Sequence, residues 1–143
     1  MDSPISVDVP RLTLAGAQQL VAAALDEAQT IGVRVVIHVC DPAGDPLALA
    51  RMDGSPKFSI TIAAKKAWSA AAAGAPTAAL AAAFADNPTL LHGVAGKVDD
   101  LIAVGGGVPV LIDGSVAGAI GVSGATEEQD HQIAATAAAA VAR

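Results

Sequence analysis

Two hydrophobic periods alternate along the chain. From Leu14 to Ala28 the apolar residues Leu14, Ala17, Val21, Ala24, Leu25 and Ala28 recur every three or four positions, with Gln18, Asp26, Glu27 and Gln29 largely on the other side. That spacing lays one apolar stripe along a helix. Thr13 is placed to cap its start and Gly32 to end it. The period then falls to two. Val33–Cys40, VRVVIHVC, is rich in β-branched residues; it sets Val33, Val35, Ile37 and Val39 on one face and Arg34, Val36, His38 and Cys40 on the other. This predicts a strand. Asp41–Asp45 has turn chemistry, and Pro46–Asp53 returns as the second strand of a hairpin. Arg51 and Asp53 share a face near its end.

Gly54-Ser55-Pro56 breaks the strand, and Ser55 or Ser59 is expected to cap a second helix running to about Ala73. Ile60, Ala63, Ala67 and Ala70 form its small-residue stripe, with Lys65, Lys66 and Ser69 elsewhere around it. Gly74 and Pro76 end it. Thr77 is expected to cap a third helix over about Ala78–Ala85, which Asn87-Pro88 stops. Residues 89–100 read as a loop or helical turn, and Leu101–Val104 as a short strand entering Gly105-Gly106-Gly107. Val108–Ile112 and Ser115–Val122 form a second hairpin across Asp113-Gly114, a strong two-residue turn signal. Thr126 followed by Gln129 makes a capping box for a last helix, with Glu127, Glu128 and Asp130 in its first turn. Residues 1–11 read as an extended arm. The order helix, hairpin, helix pair, hairpin, helix predicts a single α+β domain over residues 1–143, an antiparallel sheet with helices packed on it.

Composition adds limits. The chain is 53% hydrophobic and 15% charged, much of the apolar share is alanine, and its aromatics are Trp68, Phe58 and Phe84. So apolar a chain with so few charges is expected to hide surface in a homo-oligomer. The net charge is −6, and the eight Lys and Arg residues form no cluster, which argues against nucleic-acid partners. The single cysteine, Cys40, excludes an intrachain disulfide and a multi-cysteine zinc site. The N-terminus lacks a basic region followed by an apolar run, and no apolar stretch is long enough for a membrane helix. A cytoplasmic protein without a membrane partner is expected.

Candidate chemistry rests on few residues. The three histidines, His38, His92 and His131, match no local zinc motif, and no metal site is expected. His38 reads as a core histidine; His92, after Pro88, and His131, beside Asp130, are the candidates for ligand contact. The three glycines at 105–107 enter a strand, whereas phosphate-binding glycine loops enter a helix, so they read as a tight backbone corner. Ser123 in GVSG fails the nucleophile-elbow pattern because position 125 is Ala. Arg51 and Lys66 are suited to hold a carboxylate, and Asp53 or Asp130 to act as a base; for each alone a surface ion pair is the alternative. The candidate catalytic set is Asp53, Asp130 and His131, and the candidate ligand-binding set is Arg51, Lys66, His92 and Glu127.

Six stretches stand in a recognisable order: VCDPAG at Val39–Gly44, LALARMDG at Leu47–Gly54, IAAKKAWSA at Ile62–Ala70, PTAAL at Pro76–Leu80, GGGVPVLIDGSVAGAIGVSGATEEQD at Gly105–Asp130, and a closing Ala-rich helix. Together they resemble the haem-degrading, GlcG/HbpS-like family, which includes the C-terminal domain of PduO proteins. The resemblance implies a profilin-like α+β domain and assembly into homo-oligomers, from dimers up to octamers. It also implies a small-molecule ligand, with haem or another tetrapyrrole foremost. Two other readings stand beside it. One is a cofactor-independent lyase, hydratase or isomerase acting on a small polar or carboxylated metabolite. The other is an accessory subunit without a ligand.

Overall fold

In the computed structural model, residues 3–142 are described. They form five helices and four strands in the order α1 (Leu14–Ile31), β1 (Val36–Cys40), β2 (Pro46–Arg51), α2 (Ser59–Ala73), α3 (Thr77–Asp86), α4 (Pro88–Val94), β3 (Gly107–Ile112), β4 (Ser115–Ser123) and α5 (Glu127–Val141). The sheet is antiparallel throughout, in the order β2-β1-β4-β3. The two hairpins thus lie side by side, joined where β1 pairs β4. Met1 and Asp2, the first residues of the expected arm, and Arg143 lie outside the described residues.

The sheet is covered on both faces. α1 and α5 pack together on one face, and α2 crosses β1, β4 and β3 on the other. The larger core lies under α1 and α5. It is built from Leu20, Ala24 and Ala28 of α1, the inward row of the strands, and Ile133, Ala134 and Ala137 of α5. Leu14, read as part of the α1 stripe, is 56% exposed, and Leu20 takes a core place instead. The second face explains why β1 is buried at every position: Val36, His38 and Cys40 point toward α2.

Backbone contact sets how close α2 lies. Gly107 pairs with Gly121, and Gly121 with His38. A Cβ on Gly121 would strike the Ala63 carbonyl and the Ala67 amide of α2, and one on Gly107 would strike the Lys66 carbonyl. Glycine is needed there for close approach. The glycine run is therefore a seat for a helix as well as a corner.

Local signals account for most boundaries. The Thr13 hydroxyl accepts from Gly16 N at the start of α1, and Gly32 ends that helix in the left-handed region at φ 76°. Both halves of the Thr126–Gln129 capping box are present. Asp113 (φ 50°) and Gly114 (φ 78°) make the tight turn of the second hairpin.

Other expectations need correction. β1 begins at Val36 and not Val33, because Val33 N donates back to Ala28 O at the end of α1. Neither Ser55 nor Ser59 caps α2: the cap position is Phe58, without a side-chain hydrogen bond, and Ser55 Oγ donates to Met52 O. Thr77 is not the cap of α3; its hydroxyl accepts from Gly107 N at 2.8 Å. Asn87-Pro88 starts a helix as well as stopping one, since Asn87 caps α4 through Leu90 N and Pro88 takes the first turn. The helix pair thus becomes a run of three.

Leu101–Val104 forms no strand. Its neighbourhood is held by α2 side chains: Ser69 Oγ donates to Asp100 O and accepts from Ile102 N, and Lys65 Nζ donates to Asp99 O. The arm from residue 3 has no regular structure, and Leu12 N ties its end to Ala117 O. No single helix of the described residues is long and apolar enough to cross a membrane.

Candidate functional site

Lys66 lies mid-helix in α2, on the side facing the sheet, and is 2% exposed. A buried ammonium needs a partner for its charge and acceptors for its protons. Asp130, also 2% exposed, provides the first: its Oδ2 lies 3.0 Å from Lys66 Nζ. The Val122 carbonyl accepts a second bond at 3.0 Å. The other carboxylate oxygen of Asp130 accepts from Ala125 N at 3.0 Å. One ion pair therefore links α2, the end of β4 and the first turn of α5. Gly106, at φ 132°, allows the fit, since a Cβ there would meet Val122 O and Lys66 Nζ.

The same helix start forms one wall of a groove. Ala78 and Ala81 of α3, Gly105, and Glu127, Glu128 and His131 of α5 enclose about 300 Å³. Glu127 Oε1 accepts from Gly105 N at 3.2 Å, fixing the glycine corner against α5. His131 is half-buried, and its Nδ1 is shut away from solvent without a hydrogen-bond partner among the described residues. His131 is one of the residues lining the groove. The α3 side of the lining is small and apolar, and the α5 side brings two carboxylates and one imidazole.

Of the seven residues singled out in the sequence, Lys66 and Asp130 meet directly, and Glu127 and His131 line this one groove beside them. Asp130 turns its carboxylate to Lys66 and to Ala125 N. Ser123 is buried and donates to Ser59 Oγ. Arg51 and Asp53 line a different cleft, at the end of α1. His92 is exposed in the last turn of α4 and lines neither cavity.

Sequence reasoning missed Arg34, whose Nη1 donates to the Asp53 carbonyl at 2.9 Å. Its place on the strand pattern among apolar neighbours was the available signal. Reasoning also missed Ala78 and Ala81, which no chemical motif marks. Elsewhere burial is the largest influence on protonation. His38 lies among apolar groups, and desolvation pushes its pKa below 6.5. Cys40 is pushed up to about 12 by burial, with nearby Asp41 and Asp45 acting in the same direction. It is a packing residue and not a reactive thiol.

Known proteins share this architecture. The sequence is 35% identical to a 15.0 kDa Citrobacter freundii protein of the dhaT-dhaS intergenic region over 132 residues, 92% of this chain and 93% of the relative. The fold superposes on a double mutant of Streptomyces reticuli HbpS with a TM-score of 0.85 and 31% identity, covering 100% of this chain and 99% of the other. It also superposes on the PduOC:heme complex with a TM-score of 0.84 and 34% identity, covering 91% and 94% of the two chains. The profile of the haem-degrading protein HbpS-like family matches residues 12–139. By sequence and by fold, the chain belongs to the HbpS-like family.

Proposed function

We propose that this chain is a small-molecule-binding domain whose ligand is haem or a related tetrapyrrole, held in the groove between α3 and the start of α5. The observation that carries the reading is His131: an imidazole lining the groove beside Ala78, Ala81 and Gly105, whose Nδ1 has no hydrogen-bond partner among the described residues. Imidazole is a common axial ligand of haem iron, and small side chains leave a flat surface for a planar ring. The donor and the surface fit such a group. The family and the PduOC:heme complex support it. Haem bound there would supply an iron centre, and His131 is the residue that would hold it.

The protein's own contributions follow from the geometry. His131 offers the donor atom. Glu127, through Gly105 N, holds the corner against α5. Lys66 and Asp130 act as positioning residues that fix the first turn of α5. The Glu127 and Glu128 carboxylates favour an orientation in which the acidic arms of a tetrapyrrole point away from them. About 300 Å³ lies at the small end of ligand pockets, so the groove covers part of the ring. A second copy of the chain is the natural cover for the rest, and we propose a homo-oligomer.

Haemin titration followed by absorption tests the ligand. A shifted Soret band and saturation near one haem per chain are expected. A featureless, non-saturating titration would remove haem from the account.

A further inference from the structure

A second cleft lies between the C-terminal end of α1 and the segment leaving β2. Its volume is about 530 Å³, well within the range of ligand sites. It shares no lining residue with the α3–α5 groove. Leu25, Val33 and Met52 give it an apolar wall, and Arg34 and Arg51 bring two guanidinium groups to it. A smaller cavity of about 240 Å³ adjoins it through Arg51, Met52 and Asp53.

The arginines are not used up internally. Arg34 spends one N–H on the Asp53 carbonyl, which anchors the side chain and leaves its other donors free. Among the described residues the Arg51 side chain makes no hydrogen bond or ion pair, and the Asp53 carboxylate pairs with neither arginine. A helix C-terminus attracts cations by itself. Of the last four carbonyls of α1, those of Ala28 and Gln29 already accept from Gly32 and Val33. Neither guanidinium bonds them. Two arginines against the one carboxylate of Asp53 at this cleft stand out in a chain of net charge −6.

We infer that this cleft binds a small organic carboxylate with an apolar body. The guanidinium fork of Arg51 and the free donors of Arg34 match a carboxylate. The body lies on Leu25, Val33 and Met52. Asp53 disfavours a doubly charged anion and offers an acceptor to a hydroxyl or amine on the ligand. This site is independent of the haem reading.

The test is a titration of the full-length, ¹⁵N-labelled protein with benzoate, with benzamide as its neutral isostere and with inorganic phosphate. Benzoate is expected to shift the amides of Gln29, Arg34, Met52 and Asp53 saturably. Benzamide and phosphate are expected to bind about tenfold or more weakly. Arg51→Gln and Arg34→Gln should each weaken benzoate about tenfold or more without changing the fold or the haemin spectrum. Equal binding of benzamide or phosphate, shifts mapping elsewhere, or indifference to both substitutions would overturn the proposal.

Discussion

Lys66 and Asp130 show what a single buried charge demands. Each is 2% exposed, and each makes one further hydrogen bond, Lys66 to Val122 O and Asp130 from Ala125 N. Removing one partner strands the other in a dry interior. Asp130→Ala should therefore destabilise the fold by about 3–5 kcal/mol in urea denaturation. Arg11, 3.8 Å from Asp41 with its side chain 66% exposed, is the contrast; Arg11→Ala should cost no more than about 1 kcal/mol.

His38 makes a pH prediction. Burial lowers its pKa below 6.5, so the unfolded chain takes up a proton at a pH where the folded chain does not. Its contribution is fully present above 6.5 and is lost as pH falls below it. Melting temperature followed from about pH 7.5 to about pH 5 should fall more steeply in the wild type than in His38→Asn. Parallel curves would rule this out.

At the scale of elements, the seat of α2 on the sheet governs the site, because α2 carries Lys66 to the start of α5. Gly121→Ala places a methyl against the Ala63 carbonyl. Overpacking at backbone costs at the upper end of the usual range, about 3 kcal/mol or more, and thermal denaturation reads it. Thr126→Ala removes the cap of α5 and should cost about 1 kcal/mol.

These cases also separate what was legible in the sequence from what was not. Thr13, Gly32, Asp113-Gly114 and the Thr126–Gln129 box act within four residues, so their chemistry is written locally. Asn87-Pro88 was equally local but carried two meanings, a stop for one helix and a cap with an N1 proline for the next. Lys66 and Asp130 are 64 positions apart, and nothing near either announces that they meet. The spacing of Gly107 and Gly121 likewise reports a helix that only the tertiary structure brings to them. The groove was half visible: Glu127 and His131 share one helical turn, while the α3 side comes from Ala78 and Ala81, whose side chains carry no chemistry to mark them.

For the whole molecule, the expected assembly has a simple readout. Phe58, Leu90, Leu91 and Leu111 remain exposed on the single chain, and light scattering coupled to gel filtration should give a multiple of the chain mass. The mass of one chain at micromolar concentration would contradict the proposed homo-oligomer.

The central claim is that the α3–α5 groove binds a tetrapyrrole through His131. Its most direct test is haemin titration of the wild type beside His131→Ala and the groove-filling Ala81→Trp, with folding checked by circular dichroism. The account predicts saturable binding with a Soret shift in the wild type, an altered band in folded His131→Ala, and loss of saturable binding in folded Ala81→Trp. Wild-type spectra and affinity in both folded variants would contradict it.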